Sequence, residues 1–492
     1  MKNKGLEVFL VLLIAEILLV GYSWLVSCDG ADSITQRISF MKFETLSDFE
    51  QKDANLIADS LLATYLADTN GVDTLLKRHP ISLIGPKKQN MFLVNPSVDG
   101  VTALDGFFKA VQEIKDTAVI RIAHYGDSQL EGDRMSCIVR QKFHERFGGT
   151  GQGYVPLKDL APVSYTRSSS GNWARYTVFH DKYYNNYYGL SGLVFRFSRY
   201  AVYQSDDDTS GSHPAVMDSN AFAGGAMYNA SVSVKLGENL KYNTVSVMYG
   251  RTHEHTILNY YNNETGEKIA TDTLQPSEEV CLHKRKLEEP VLKLRLEFSA
   301  GSSPDFYGVY LDGLNGIQVD NYAIRGHSGD GLMLINDDHL ASMIKLLNTR
   351  LIIFQYGANV VPYIHSDKAC EWLSGIYYDL FMKFRKAAPQ VSILVIGPGD
   401  MARGGEGGYG SYSWLPKIND AVKQGALKAG CAYWDLFNMM GGLNSIMVWT
   451  SKKLAVTNGH FSSKGQEIIA NELVDALMVE YNLYQHNQRK NK

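Results

Sequence analysis

The residue of this chain best placed to do chemistry is Ser128, in the run Ile122-Ala-His-Tyr-Gly-Asp-Ser-Gln-Leu-Glu131. A serine hydroxyl is a poor nucleophile until a base takes its proton, and a histidine titrating near neutrality suits that task. Attack on an ester carbonyl then creates a tetrahedral oxyanion that needs N–H donors. The apolar run Ala118-Val-Ile-Arg-Ile-Ala123 reads as a strand, so Ser128 falls just past a strand end, where ligands bind in open α/β sheets. The Gly before Asp127 permits a tight turn, and a following helix N-terminus would aim backbone N–H groups at developing negative charge. A lone Gly-Asp-Ser is nevertheless also an ordinary strand-end turn.

Other clusters carry less. His253-Glu254-His255 has two imidazoles that a strand would point to one face, but no third metal ligand accompanies them. Gly149-Thr-Gly-Gln-Gly153 lacks the Lys-Ser/Thr of a phosphate loop. Tyr183, Tyr184, Tyr187 and Tyr188 are candidates for stacking on sugar rings, with strand packing the plainer reading. The glycine-rich stretch 404–410, with Tyr409, Tyr412 and Trp414 nearby, could border a substrate or form a surface loop.

The elements that must position Ser128 follow from periodicity. Apolar positions from Leu104 to Ile114 have helical spacing. Between about 155 and 315 short alternating stretches such as Ser231–Leu236 and Leu292–Phe298 are separated by turn signals, the pattern of an all-β sandwich or jelly roll. From 316 onward helices are expected at Leu340–Leu347, along the face of Trp372, Ile376, Leu380 and Phe384 with Leu373, Tyr377 and Phe381 beside it, at Ile418–Ala429, and from Ser462 to about Leu483. Strands are expected at Leu351–Gln355, Val391–Ile396 and Ala432–Trp434. Such alternation indicates a parallel sheet with helices on both faces, interrupted by a β insertion.

At 492 residues the chain exceeds one ordinary core. With 45% hydrophobic and 20% charged residues it is globular, and 48 basic against 52 acidic residues are mixed, without the basic block that nucleic-acid binding requires. Five widely spaced cysteines (Cys28, Cys137, Cys281, Cys370, Cys431) disfavour a zinc knuckle or a dense disulfide framework. Lys2 and Lys4 precede an apolar run from Val8 to Ser27, broken by Glu16, long enough to cross a bilayer. It reads as an uncleaved signal anchor, or, since Leu25-Val-Ser-Cys28 has a lipobox pattern, as a lipoprotein signal, with a soluble or buried segment as the third reading. The first two place the body of the protein in the bacterial cell envelope, on the exported side of the cytoplasmic membrane. A helix from about Ser47 to Leu66 and a stretch punctuated by Pro80, Pro86 and Pro96 lead into the first strand region.

Four segments together carry more than any one. The run ending near Ser128 resembles the first sequence block of SGNH (GDSL-like) hydrolases. Asn321-Tyr-Ala-Ile-Arg-Gly326-His-Ser-Gly-Asp330 resembles the second, Phe354-Gln-Tyr-Gly357-Ala-Asn359 the third, and Asn458-Gly-His460-Phe-Ser-Ser-Lys-Gly465 the fifth. The resemblance covers roughly residues 105–153 and 316–485. It implies a flavodoxin-like three-layer α/β hydrolase domain with an inserted all-β domain (sandwich or jelly roll) and an N-terminal membrane segment. The implied division is 1–30 signal, 31–103 spacer, 104–154 hydrolase (first part), 155–315 β insertion, carbohydrate-binding-like, 316–485 hydrolase (second part) and 486–492 tail. It also implies Ser128 as nucleophile, His460 as base, and Gly326 N–H and the Asn359 amide as oxyanion donors with Ser128 N–H.

Two positions depart from the family pattern. Thr457 stands where the Asp of Asp-x-x-His orients the imidazole, leaving a Ser–His dyad, an acid from elsewhere (Asp435 is a candidate), or weakened catalysis. Val360 replaces an acidic residue often found after the third-block Asn. The layout is similar to bacterial peptidoglycan O-acetylesterases, which implies an acetylated glycan as substrate, the membrane as partner through anchor or lipid, and no cofactor, metal or nucleic acid. An O-acetyltransferase of the same fold and a non-catalytic glycan-binding protein remain the alternatives.

Overall fold

The computed structural model describes residues 92–114, 118–201, 227–405 and 408–490. The apolar run 8–27, Cys28 and the helix expected at 47–66 lie outside them. Among the described residues no helix is long and apolar enough to cross a membrane.

The described chain begins with β1 (Leu93–Val94), α1 (Asp105–Gln112), β2 (Val119–Gly126) and α2 (Ser136–Phe147). Strands without an intervening α-helix follow: β3 (Gly151–Val155), β4 (Thr166–Ser169), β5 (Trp173–Thr177), β6 (Leu193–Phe197), β7 (Tyr228–Lys235), β8 (Thr244–Gly250), β9 (Thr256–Asn262), β10 (Lys268–Leu274), β11 (Cys281–Lys286), β12 (Lys293–Ala300) and β13 (Asp305–Asp312). Alternation then returns with β14 (Gly316–Ala323), α3 (Asp337–Leu346), β15 (Thr349–Gln355), α4 (Asp367–Ala387), β16 (Ser392–Ile396), α5 (Leu415–Lys428), β17 (Ala432–Trp434) and α6 (Ser463–Lys490).

One sheet has the order β1-β17-β16-β15-β2-β14, parallel except for β1 at its edge. Numbered along the chain, its parallel strands run 2-1-3-4-5, the flavodoxin-like order, whose switch point lies at the ends of the first and third strands. Successive strand side chains point to opposite faces, and both faces here are apolar. Ile120, Ile122, Leu351, Ile353, Leu394 and Ile396 pack with α1, α2 and α6. Tyr125, Ile352, Phe354, Ile393 and Val395 pack on the other side with α3, α4 and α5.

That second core does not stop at the helices. It runs unbroken into the β-rich part, where one sheet (β11-β8-β13-β6-β5, with β3 also on β13) lies against another (β10-β9-β12-β7-β4). Trp173 and Phe306 of the first meet Phe298 of the second at ring distances of 5.7 and 4.9 Å. The opposite face of the first sheet touches the parallel sheet and its helices: Tyr154 stands 4.9 Å from Tyr322 of β14, and Tyr307 stands 4.9 Å from His339 of α3.

Several expectations need correction. The buried face of α4 is Leu373, Tyr377, Leu380, Phe381 and Phe384, while Trp372 is 62% exposed, because the stripe facing the sheet is rotated by one position. His253 and His255 sit in the connection between β8 and β9, not on a strand, and His253 pairs with Glu278 at 3.0 Å. The tyrosines at 183–188 flank a single 3-10 turn, Tyr184–Asn186, and are not strand residues. Cys137, Cys281, Cys370 and Cys431 are free.

The seam is fastened by buried charge. Arg140 of α2 grips Asp133 with two bonds of 2.9 Å and also donates to the Val319 carbonyl of β14. Gln152 and Ser164 donate to the same carboxylate. Removing one partner of such a buried pair leaves the other uncompensated, so Arg140→Ala should lower the unfolding free energy by about 3–5 kcal/mol. Urea denaturation checks this, and an unchanged midpoint would show that the carboxylate finds compensation elsewhere.

Candidate active site

Ser128 follows the end of β2, and Asn359 follows the end of β15, so the switch point of the sheet holds both. Gly126 allows this turn: a Cβ there would lie 2.6 Å from a Leu130 methyl and 3.1 Å from the Gln355 carbonyl. Behind the turn His124 is fully buried, within 3.1 Å of Ser136 Oγ and 3.3 Å of Gln355 Oε1. Burial holds that imidazole down at about 4, so it is neutral. Asn321 donates to Ser136 Oγ and to the Leu130 carbonyl, pinning the chain after the serine.

His460 arrives from the far end of the sequence in a tight loop before α6, closed by the bridge Ala455↔Phe461. The Thr457 carbonyl accepts from Ala402 N–H at 2.7 Å, which docks the loop on the segment after β16. Gln129 reaches across to donate to the Gly459 carbonyl at 2.6 Å. Gly459 has φ +89, and a Cβ there would press within 3.0 Å of Met401 Cβ. These contacts leave His460 Nε2 2.9 Å from Ser128 Oγ.

The other ring nitrogen settles what replaces the expected acid. Nδ1 lies 3.0 Å from Asn458 Oδ1, which also accepts the His460 backbone N–H at 3.3 Å. An atom facing two N–H donors is the amide oxygen, so Nδ1 carries the proton and Nε2 is free to accept from the serine. The Asp435 candidate is wrong. Its carboxylate caps the short helix Leu436–Met440 and is taken up by Asn419 and Asn438, as expected of an acid at a helix N-terminus. Asn458 was legible in principle, since an Asx side chain commonly bonds an N–H two residues on. Counting three back from the histidine, as the acid pattern dictates, steps over it.

Among the described residues the N–H groups of Ser128 and Gly326 have no protein acceptor. Gly326 sits at φ +73. The Asn359 amide is already committed: Nδ2 donates to Asp127 Oδ2 at 3.0 Å and to the His327 carbonyl at 3.1 Å. Asp127 is buried, which pushes its carboxyl up to about 6, and it also accepts from Gln129 N–H. His460 is pushed below its usual value, first by burial and then by the Arg134 and Arg325 guanidiniums, with Glu131 opposing. Arg325 pairs with Glu131 at 2.7 Å and Arg134 with the same carboxylate at 3.3 Å. Next to this group a cleft of about 880 Å³, open solvent included, runs between β14 and the β-rich part, past Glu131, Arg325, Phe179 and His180.

No protein-family model matches the chain, and no curated protein matches it in sequence. Its fold is shared with a solved structure of a peptidoglycan O-acetylesterase, at a TM-score of 0.59 and 18% identity, over 79% of this chain and 99% of that one. An acetyl xylan esterase superimposes over 32% of this chain and 81% of its own, at 14% identity and a TM-score of 0.26. A family 29 carbohydrate-binding module in complex with mannohexaose covers 34% of this chain and 94% of its own, at 13% identity and a TM-score of 0.21. Superpositions that low carry no statement about fold or activity.

If Ser128 and His460 act as nucleophile and base on esters and the amide fixes the imidazole, Asn458→Ala should lower kcat on p-nitrophenyl acetate about 10- to 100-fold, part of what a general base supplies. Since the depressed His460 stays neutral as pH falls, the acidic limb of kcat/KM should lie below about 6.5. Asn458→Asp sets a negative charge against Nδ1, favours the imidazolium, and should move that limb upward by about one pH unit. A limb that does not move would show that residue 458 is not the partner of the ring.

Proposed function

We propose that this chain is an SGNH-type serine esterase that removes acyl groups, chiefly O-acetyl, from a cell-envelope or other polysaccharide. One observation carries the reading: Ser128 Oγ stands 2.9 Å from an imidazole whose other nitrogen is held by Asn458, at the switch point of a 2-1-3-4-5 sheet. The fold shared with a peptidoglycan O-acetylesterase supports it. In this reading the protein is exported and tethered through the apolar run or a lipidated Cys28, and the β-rich part is a sandwich inserted in the hydrolase domain that engages carbohydrate.

In this reading the reaction runs as follows. His460 Nε2 takes the Ser128 proton as Oγ bonds to the ester carbonyl carbon. The carbonyl oxygen becomes an oxyanion and is met by the N–H groups of Ser128 and Gly326, with the Asn359 amide turning from Asp127 to join them. Collapse breaks the bond to the sugar oxygen, which takes its proton from His460 and leaves. Water, deprotonated by the same nitrogen, then releases the acyl group and restores the serine. A sugar hydroxyl in place of that water would make the same site a transferase.

A fluorophosphonate probe should label the wild-type protein and fail to label Ser128→Ala. Acetate release from an acetylated polysaccharide should disappear in the same variant. Equal labelling of the two would remove Ser128 as nucleophile. Acetate appearing on an added oligosaccharide, not in solution, would identify the transferase.

A further inference from the structure

The tyrosine cluster at 183–188 is divided by the fold into two kinds of residue. Tyr183 and Tyr188 are buried; the hydroxyl of Tyr183 donates to Asp305 at 2.5 Å and that of Tyr188 to the Asp181 carbonyl. Tyr184 is 60% exposed, and the Arg251 guanidinium lies 4.1 Å from its ring centroid. Arg251 is itself held by Asp305, at 2.9 Å from Nη1, and Asp305 is buried against Tyr183 and Arg196.

The backbone here is strained. Arg251 has φ +46, Asn185 φ +47 and Asn186 φ +56, all left-handed and none glycine. Such conformations are unfavourable for residues other than glycine and persist where the surroundings over-determine them. The surroundings do so: Asn186 O accepts from Asn336 N–H, and the Tyr187 ring meets His339 of α3 at 5.1 Å. The strain buries no additional aromatic ring at residue 184. It fixes an aromatic face outside the core, with the exposed amides of Asn185 and Asn186 beside it.

A rigid aromatic ring in water, flanked by polar groups, suits a pyranose: ring C–H bonds meet the negative π face while the amides reach hydroxyls. The same loop leads to Gly326. Phe179, five residues before Tyr184, lies against Gly326, where a Cβ would be 3.5 Å from its ring. Five residues span at most about 18 Å. We propose that Tyr184, positioned by Arg251 and Asp305, is a stacking platform for a pyranose ring of the glycan, docking the polymer within one loop of Gly326. This rests on the glycan-esterase reading above.

The test is retention of the full chain by insoluble peptidoglycan and, separately, migration through a gel containing acetylated xylan. Tyr184→Ala should weaken retention about tenfold, the loss of one stacking contact, with an unchanged melting transition because the ring is outside the core. Tyr184→Phe keeps the ring and should bind as wild type does. Retention of Tyr184→Ala equal to wild type overturns the platform alone, and so does equal loss in both variants, which would assign the effect to the hydroxyl. A wild-type chain retained by neither polymer overturns the platform and the glycan reading together, whereas loss of fluorophosphonate labelling would strike only at the esterase chemistry.

Discussion

The strand β13 is buried along its whole length because both faces of its sheet are covered. On one side Phe306 packs into the core between the two β-sheets, and on the other Tyr307 and Tyr310 face α3 and β14. Much of the site depends on that double cover. The β-rich part lies against the β14 side of the parallel sheet, so β14 faces the cleft beside Ser128 with a second wall opposite. Tyr125, one residue before the turn that carries Ser128, donates to the Leu190 carbonyl of that wall at 2.7 Å. The strand that ends at Ser128 and the β-rich part are thus joined through one continuous core, and neither can shift without disturbing the other.

A seam of this kind brings polar groups of both parts out of water, and the structure meets the cost by pairing. Arg121 is shared by Asp312 of β13 and Asp320 of β14, its guanidinium 2.9 Å from Asp320. Arg140 holds Asp133, and Arg251 with Arg196 holds Asp305. Arg121 with Asp312 joins the parallel sheet to the β-rich part, whereas Arg140 with Asp133 and Arg251 with Asp305 each lie within one part. Such pairs contribute little net stability against an apolar alternative, but an unpaired member is costly, so Arg121 and Asp312 penalise any other register of the two parts.

Much of this was legible in the sequence where periodicity is strong. The parallel strands, the helices between them and the β character of 155–315 follow from apolar spacing, and the position of Ser128 follows from a strand that must end. The errors share a cause: they concern which atom meets which. Trp372 has the spacing of a core residue, but one step of helix rotation exposes it. Tyr183 to Tyr188 have strand composition, but two left-handed asparagines turn them into a loop. Asp435 lies at a strand end near the site, yet a helix that needs a cap claims it first. Composition and period fix the faces of elements; side-chain partners depend on loops whose geometry is set by contacts from distant segments.

Asn458 shows what a local partner can and cannot replace. An amide oxygen selects the tautomer and holds the ring as a carboxylate does, but it brings no charge to the imidazolium that the proposed mechanism would form on taking the Ser128 proton. Burial and the two nearby arginines already disfavour that cation, so proton transfer to His460 is harder here than beside an aspartate. In the proposed mechanism the compensation would come where negative charge develops. Two backbone N–H groups are unengaged there, while the Asn359 amide is held by Asp127, whose burial already favours the neutral acid. A protonated Asp127 would attract that amide less, leaving Asn359 freer to turn toward the oxyanion. In the proposed mechanism the amide-held base and the buried carboxyl would therefore act in one direction, shifting the burden from stabilising the cation to stabilising the anion.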